Sequence, residues 1–548
     1  MKYFFWAIIA SILSLVAKHY QEIPSTTAKN YFQKKKSVAQ YCAPVRDRSL
    51  SSVNIGILPG TGNHTWKIST RSDSAQIYFN QGMNMYYSFH IIESLASFLK
   101  AQQFDSTEAM LYWAEALAYG PNINDLGYTQ SPDALLAVQK AKRYAHKNST
   151  VEIGLISAMG LRYSDAPAAT RETLNALYRD AMADLHESDP GNPELIALYA
   201  DALMVIHPWD LYEGNGNPKA WTPALVTLLE KGLRVDPLHP GINHYYIHVV
   251  EGSRDPGRAT PSADRLASIV PSAAHMVHMP SHIYIRTGEY AKGVNVNIQS
   301  LGSFDVYLKQ YPPVTNNRFL YQYHNTHMMA ACAIMNGDSR AALKSATKCH
   351  DDIPVELFEA AAPMSEMVQY LYATPIFTMV RYEKWDQLIN MPVPEDLHYY
   401  KILANFGKGI AYARSGKTEA AEMQLASMDV TISQYDSILR IKAFNSAYDA
   451  AMVAREMLRG IIHEEKNELD KAAVALQKAA SLEEAMVYNE PKDWLLPPLP
   501  YLGRVQLKKG DYAGAETSFS KDLQFNPRNS WSLNGLKEAV SKQGKRGG

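Results

Sequence analysis

Leu499-Pro-Tyr-Leu-Gly503-Arg-Val-Gln-Leu-Lys-Lys-Gly510-Asp-Tyr512-Ala-Gly-Ala515-Glu-Thr-Ser-Phe519, closed by Asn526-Pro527, decides how the whole chain reads. Apolar residues recur at helical spacing on both sides of Gly510. The glycine ends one helix, small alanines let a second helix approach, and Pro527 stops that second helix. The stretch therefore predicts a helical hairpin.

Working outward, the same grain returns. A similar unit runs from Ala404 through Gly407, Tyr412, Gly416 and Ala420-Ala421. A third starts near Arg459 and passes through Ala472-Ala473. Upstream, Ala75 to Gly120 and Glu194 to Pro237 follow the pattern, and Gly288-Glu-Tyr290-Ala291 echoes Gly510-Asp-Tyr512-Ala. Paired helices with a period of about 34 residues make the tetratricopeptide pattern. Each hairpin has an apolar face that it cannot bury alone, and stacking its neighbours buries that face in a curved solenoid. No alternating strand pattern and no Gly-rich nucleotide loop interrupts it. The expected fold is all-α, a tetratricopeptide-like helical-repeat solenoid with an irregular N-terminal extension. The expected divisions are 1–17 as a signal peptide or anchor, 18–72 as the extension, 73–395 as the repeats carrying histidines, and 396–548 as C-terminal repeats.

Composition narrows the function classes. Apolar residues make up 46% of 548, enough for a large core and too many for a disordered chain. Lysine and arginine total 54 against 55 acids, so the basic face that nucleic acid needs is not expected. The run Gln33 to Lys36 reads as a solvated segment. Three cysteines, Cys42, Cys332 and Cys349, make no disulfide framework and no zinc knuckle. Cys332 and Cys349 are expected as a pair across packed helices or as buried thiols. Lys2, then an apolar run from Tyr3 to Val16, then Ala17 and Lys18 fit a secretory signal or an uncleaved anchor. Either places the body outside the cytoplasm, periplasmic or secreted. No other stretch resembles a transmembrane helix, so no further membrane contact is expected.

Seven of the 17 histidines fall between His244 and His327. They form His244-x3-His248-x2-Glu251, His275-x2-His278-x3-His282 and His324-x2-His327. Offsets of 3, 4 and 7 lie within about 60° of one another on a helix, so each set shares a face. His275 and His278 stand 13 and 10 residues before Gly288, and His324 and His327 stand 13 and 10 before Gly337. Equivalent positions of adjacent first helices should be neighbours, with His244 near the same level, on the concave wall. Imidazole with carboxylate suits a divalent transition metal such as copper, zinc or iron, and seven imidazoles and one carboxylate suffice for one or two ions. The expected metal ligands are His244, His248, Glu251, His275, His278, His282, His324 and His327. Met276, Met279, Met328 and Met329 lie among them and read as core or as a lean toward copper. Pro280 sits inside the second set, and the register holds only if the helix continues through it. Arg286, one turn past His282, reads as an anion contact or a surface ion pair. His207-Pro208-Trp209-Asp210 reads as a helix stop. His90 and Glu93 fall at a turn and are left outside the set.

Several segments together resemble a large bacterial family of tetratricopeptide-repeat proteins. They are Ala114-Glu-Ala-Leu-Ala-Tyr-Gly-Pro-Asn-Ile-Asn124, Tyr199-Ala-Asp-Ala-Leu-Met204, Pro208-Trp-Asp210, His239-Pro-Gly241 and His244-Tyr-Tyr-Ile-His248. Ala263-Asp-Arg-Leu266, His278-Met-Pro-Ser-His-Ile-Tyr284, Tyr323-His324-Asn325-x-His327, Asn489-Glu-Pro491-x-x-Trp494 and Pro527-Arg-Asn529-Ser-Trp531 extend the match from about residue 75 to 540. The resemblance implies the repeat fold and the histidine motifs, and it implies no reaction. Where that family tends to place an arginine just after the Trp494 position, this chain has Leu495-Leu-Pro-Pro-Leu-Pro500.

The sequence thus points to an exported repeat protein with a His-rich metal site on its concave face. As an enzyme it would be a metal-dependent hydrolase or oxidoreductase acting on a small molecule or peptide, with Glu251 as ligand or general base. A non-catalytic scaffold for a peptide or protein partner, and a metal storage or delivery protein, are the alternatives.

Overall fold

The hairpin at the C-terminus forms as its residues require. Pro498–Lys509 ends at Gly510, whose φ of +81° only glycine adopts at little cost, and Tyr512–Phe525 follows. Gly503 exists for a close approach: a Cβ there would meet the Phe519 ring at 2.6 Å. The computed structural model describes residues 55–125, 128–310, 319–434 and 444–544 of the chain. The segment 1–17, the basic run at 33–36, Cys42 and residues 18–54 of the extension lie outside them. The described part of the extension, 55–72, carries no helix.

Among the described residues the fold is all-α, with one isolated bridge between Tyr212 and Pro218. Consecutive helices pack as antiparallel pairs, among them His398–Arg414 with Thr418–Ile432 and Ala447–Glu465 with Leu469–Ala485. This is a tetratricopeptide-like helical-repeat solenoid. The third pair begins a dozen residues earlier than the sequence suggests. Ser446 caps its first helix, and Asn467 takes the left-handed turn (φ +58°) that glycine marks elsewhere. None of the described helices is long and apolar enough to cross a membrane. Cys332 and Cys349 are buried free thiols.

Two large apolar clusters make up most of the core. One runs from Ile55 to Tyr284 and the other from Tyr323 to Val505. The chain also returns on itself. Tyr321 Oη donates to Phe89 O at 2.9 Å, Tyr290 Oη to Pro527 O at 2.7 Å, and Tyr370 Oη to Lys492 O at 2.8 Å. These contacts bring the segment 486–497 and the front of the array against the middle repeats, where the histidines lie.

Candidate metal centre

Four short elements carry the imidazoles. Pro240–Val250 holds His244 and His248. Its start is set by Pro240 and by His239, whose Nδ1 accepts from Ile242 N at 3.2 Å. Ala274–His278 and Pro280–Thr287 hold His275, His278 and His282. Met279 keeps right-handed helical angles between them, and its N–H bonds His275 O at 2.9 Å. The path therefore stays helical through Pro280, against the usual bias before proline. A π-helical turn, Phe319–His324, presents His324, and Asn325–Asn336 follows it. Ser300 ties these elements together, donating to Ala274 O at 2.6 Å and accepting from Asn325 Nδ2 at 2.7 Å.

The structure brings seven of the eight expected residues together. His244, His248 and His275 each offer a nitrogen within 4.8 Å of the others, and so do His278, His282 and His324. Glu251 stands between the sets: its Oε1 accepts from His248 Nδ1 at 3.0 Å and its Oε2 from His282 Nδ1 at 2.7 Å. His327 turns away. Its Nδ1 bonds Thr374 Oγ1 at 2.8 Å and its ring lies edge-on to Tyr370. Gly288 and Gly337 both cap their helices with left-handed angles, as the register requires. The helices are nevertheless staggered by a turn, so His278 meets His324 at 3.0 Å rather than His327. Nor do the imidazoles line an open wall. His244, His248, His275, His278 and His282 are each at most 4% exposed, and only the rim residue His324 reaches 15%.

Sequence reasoning missed the residues that cover and orient them. Phe89 (φ +58°) is a bulky residue in left-handed backbone, which costs about 1–2 kcal/mol. Its ring lies 4.5 Å from His244, 5.6 Å from His275 and 5.9 Å from His248. Trp209, read as a helix stop, lies perpendicular to His248 with the ring centres 5.2 Å apart. His90 stays outside the sets, paired with Glu93 at 3.1 Å and stacked on Tyr321. Glu490 arrives from the far C-terminal side. Its carboxylate lies 2.9 Å from His282 Nδ1 and 3.5 Å from His248 Nδ1. It sits inside the Asn489-Glu-Pro491 motif, but nothing local in the sequence links that motif to the histidines.

Hydrogen bonds fix which nitrogen of each ring is bare. His244 gives Nδ1–H to Tyr87 O at 2.6 Å, and His248 gives Nδ1–H to Glu251, so in the neutral rings both Nε2 atoms carry lone pairs. Neither Nε2, nor either nitrogen of His275, has a hydrogen-bond partner. Burial, reinforced by neighbouring imidazoles, holds His244, His275 and His278 well below the ordinary histidine range. His324 is pushed down to about 4, chiefly by burial. His248 and His282 differ: burial opposes their charge, but Glu251 and Glu490 raise both, His282 to about 10. Glu490 is held well below the usual carboxylate range by His282 and His248, although burial alone would raise it.

Two further groups have the composition of a metal site. His248, Glu251, His282 and Glu490 converge through the Nδ1 atoms and carboxylates described above. His64, Glu194 and His239 form a separate cluster, with Tyr87 Oη on Glu194 at 2.5 Å and His64 Nε2 on Glu194 at 2.6 Å. There His239 Nδ1 is occupied by the helix cap, so its Nε2 carries the proton and faces Glu194 at 3.6 Å. Tyr87 and His64 hold Glu194 there by hydrogen bonds, and His239 Nε2 is buried without a hydrogen-bond partner of its own.

Arg286 forms no ion pair with a carboxylate among the described residues. It donates to Glu251 O at 2.7 Å and Ser253 O at 3.0 Å and stacks on Tyr488. A cavity of about 480 Å³ opens beside it, lined among others by Arg254, Tyr488, Trp494 and Phe525. A neck of about 30 Å³ between Trp209, His248, Glu251, Tyr488 and Glu490 shares its Gly252, Val487 and Tyr488 wall. Leu495 and Leu496, which follow Trp494, are buried in the core.

No protein-family model matches this chain, and no curated protein does. Among solved structures it is similar to the human IFIT1 dimer with m7Gppp-AAAA, at 13% identity over 86% of this chain and 92% of that one, TM-score 0.31. The APC/C hetero-tetramer Cut9–Hcn1 gives 12% identity over 86% and 78%, TM-score 0.31. Yeast Tom70 gives 10% identity over 86% and 89%, TM-score 0.29. At these values the likeness bears on neither site nor partner.

Proposed function

We propose that this protein binds transition-metal ions in its buried histidine centre and works with them as a metal-dependent enzyme outside the cytoplasm. One observation carries the reading. His244 Nε2, His248 Nε2 and both nitrogens of His275 are buried at one point with no protein partner. A buried polar atom without a partner costs about 1–3 kcal/mol, so four cost about 4–12 kcal/mol, comparable to the whole stability of a domain. An ion takes three of these lone pairs at once, and a structural zinc contributes roughly 10 kcal/mol. The outer nitrogens of His244 and His248 are already tied to a carbonyl and a carboxylate, the arrangement that orients metal-bound imidazoles. Glu251 then orients ligands from both sets.

Three nitrogens leave a tetrahedral ion one open position for water or a small substrate, which favours catalysis over storage. The neck beside His248 shares a wall with the 480 Å³ cavity, which has room for a small molecule or a peptide end. The charged-then-apolar N-terminal segment supports the location outside the cytoplasm. Imidazole suits copper, zinc and iron alike. The test is metal analysis of protein purified without an affinity tag, before and after reconstitution. A full equivalent per chain is expected, and less than about 0.2 after reconstitution refutes the reading.

A further inference from the structure

We propose that the centre holds two ions side by side, one in each three-imidazole set, and that they are reduced copper binding dioxygen between them. This rests on the metal-binding reading above and goes beyond it in number, metal and co-substrate.

The second set argues for its own ion. Asn297 gives Nδ2–H to Gly293 O at 2.8 Å, so its Oδ1 is the acceptor for His278 Nδ1–H at 2.6 Å. That leaves His278 Nε2 as a lone pair. It faces two nitrogens, His282 Nε2 at 2.7 Å and His324 Nε2 at 3.0 Å. One lone pair accepts one proton well. If His282 donates, His324 is left over, and if His324 donates, His282 is. A single ion satisfies all three nitrogens, with His282 keeping its Nδ1 on the carboxylates. A proton on His282 Nε2 is therefore the rival occupant of this set.

The sets are adjacent. Ring centroids are 5.7 Å apart for His248 and His282 and 6.1 Å for His275 and His278, and Glu251 touches one ring of each set. Charge selects the oxidation state. Two carboxylates, Glu251 and Glu490, lie at the centre, and the Arg286 guanidinium bonds the Glu251 carbonyl. Two monovalent ions balance the carboxylates. Two divalent ions would leave a buried surplus of positive charge beside an arginine, the situation that desolvation penalises most. Monovalent, imidazole-bound and at home with three ligands describes copper(I). Size limits what fits beside His248, where the 30 Å³ neck holds one or two molecules no larger than water or dioxygen. On binding, each copper gives up one electron and dioxygen takes both. Its π bond is lost, the O–O σ bond is kept, and no proton or outside reductant is required.

The test is anaerobic titration of the metal-free full chain with copper(I), followed by air. Two coppers per chain are expected, with no electron paramagnetic resonance signal after oxidation because the two spins couple. His275→Ala and His278→Ala should each hold one copper and show the signal of an isolated copper(II). Saturation at one copper in the wild type, or a full copper(II) signal, overturns the pair while leaving the first site standing. Binding of none refutes the metal reading itself. The wild-type count needs no variant. His324→Gln, at the rim, supplies a milder one should the buried alanines not fold; retention of a coupled pair by it would also overturn the second site.

Discussion

Replacing His275 by leucine should make the metal-free protein more stable and the metal-loaded protein less so. His275 is 1% exposed, and neither of its ring nitrogens has a partner. A neutral imidazole there withholds one donor and one acceptor from water, at about 1–3 kcal/mol each, hence about 2–6 kcal/mol in all. Leucine removes both polar atoms at similar volume. The rings of Phe89, His244 and Tyr321 line the position at 5.6, 4.9 and 6.4 Å, so the misfit of shape costs about 1.5 kcal/mol or less. The net gain without metal is about 1–4 kcal/mol. With metal the sign turns: an ion at a thousand times its dissociation constant adds about 4 kcal/mol to the wild type and little to a variant lacking one of three ligands. The assay is guanidinium denaturation of both proteins, in chelator and with saturating metal, comparing midpoints. A variant less stable than wild type in chelator refutes the reasoning, because it means that the His275 nitrogens are satisfied in the metal-free fold. Equal midpoints in both conditions make His275 ordinary core.

Glu490→Gln keeps the shape but removes the charge shared by His248 and His282. It should weaken metal retention by about 10–100-fold in chelator competition, and unchanged retention would remove Glu490 from the centre. Gly82→Ala should lower stability by about 1–3 kcal/mol in denaturant unfolding, since its Cβ would fall 2.3 Å from the Phe98 ring. A neutral result would mean that this helix pair is looser than described. Burial holds His327 down to about 3, against roughly 6.5 in an unfolded chain. The folded protein therefore binds fewer protons there, and its stability, full above about pH 6.5, falls as pH drops toward 3. The loss from pH 7 to pH 5 is about 2 kcal/mol. His327→Gln should flatten that slope in metal-free protein, and parallel curves would show that His327 is not buried as a neutral ring.

The repeat fold was legible because its signals are local. Gly288, Gly337, Gly416 and Gly510 all adopt left-handed angles at helix ends. The late start assigned to the third C-terminal pair came from Asn467 doing the same work without being glycine. The histidine sets were legible because spacing of three, four and seven residues on a helix is also local. How the sets meet was not. It depends on the stagger between helices, which sends His327 to Thr374 and leaves His324 beside His278. Glu490, Phe89 and Trp209 were invisible for the same reason: each reaches the centre through contacts between segments far apart in the chain.

That long-range closure explains how a solenoid comes to own a buried centre. In an open repeat array each unit touches only its neighbours, and the inner wall faces water. Imidazoles on such a wall would be solvated and separately satisfied. Here Tyr321 bonds Phe89 across 232 positions and Tyr290 bonds Pro527 across 237. A Cβ on Gly288 would sit 2.4 Å from Pro527 O, so the two ends of that contact are pressed together. Closure carries Phe89 and the Glu490 segment onto the histidine face and takes water away from it. Water removal turns a row of ordinary helix positions into lone pairs with no partner. It also raises the cost of leaving them bare, since hydrogen-bonding groups deprived of solvent need another partner. The repeats supply imidazoles at regular spacing, and the closing contacts, which no single repeat contains, make those imidazoles a site.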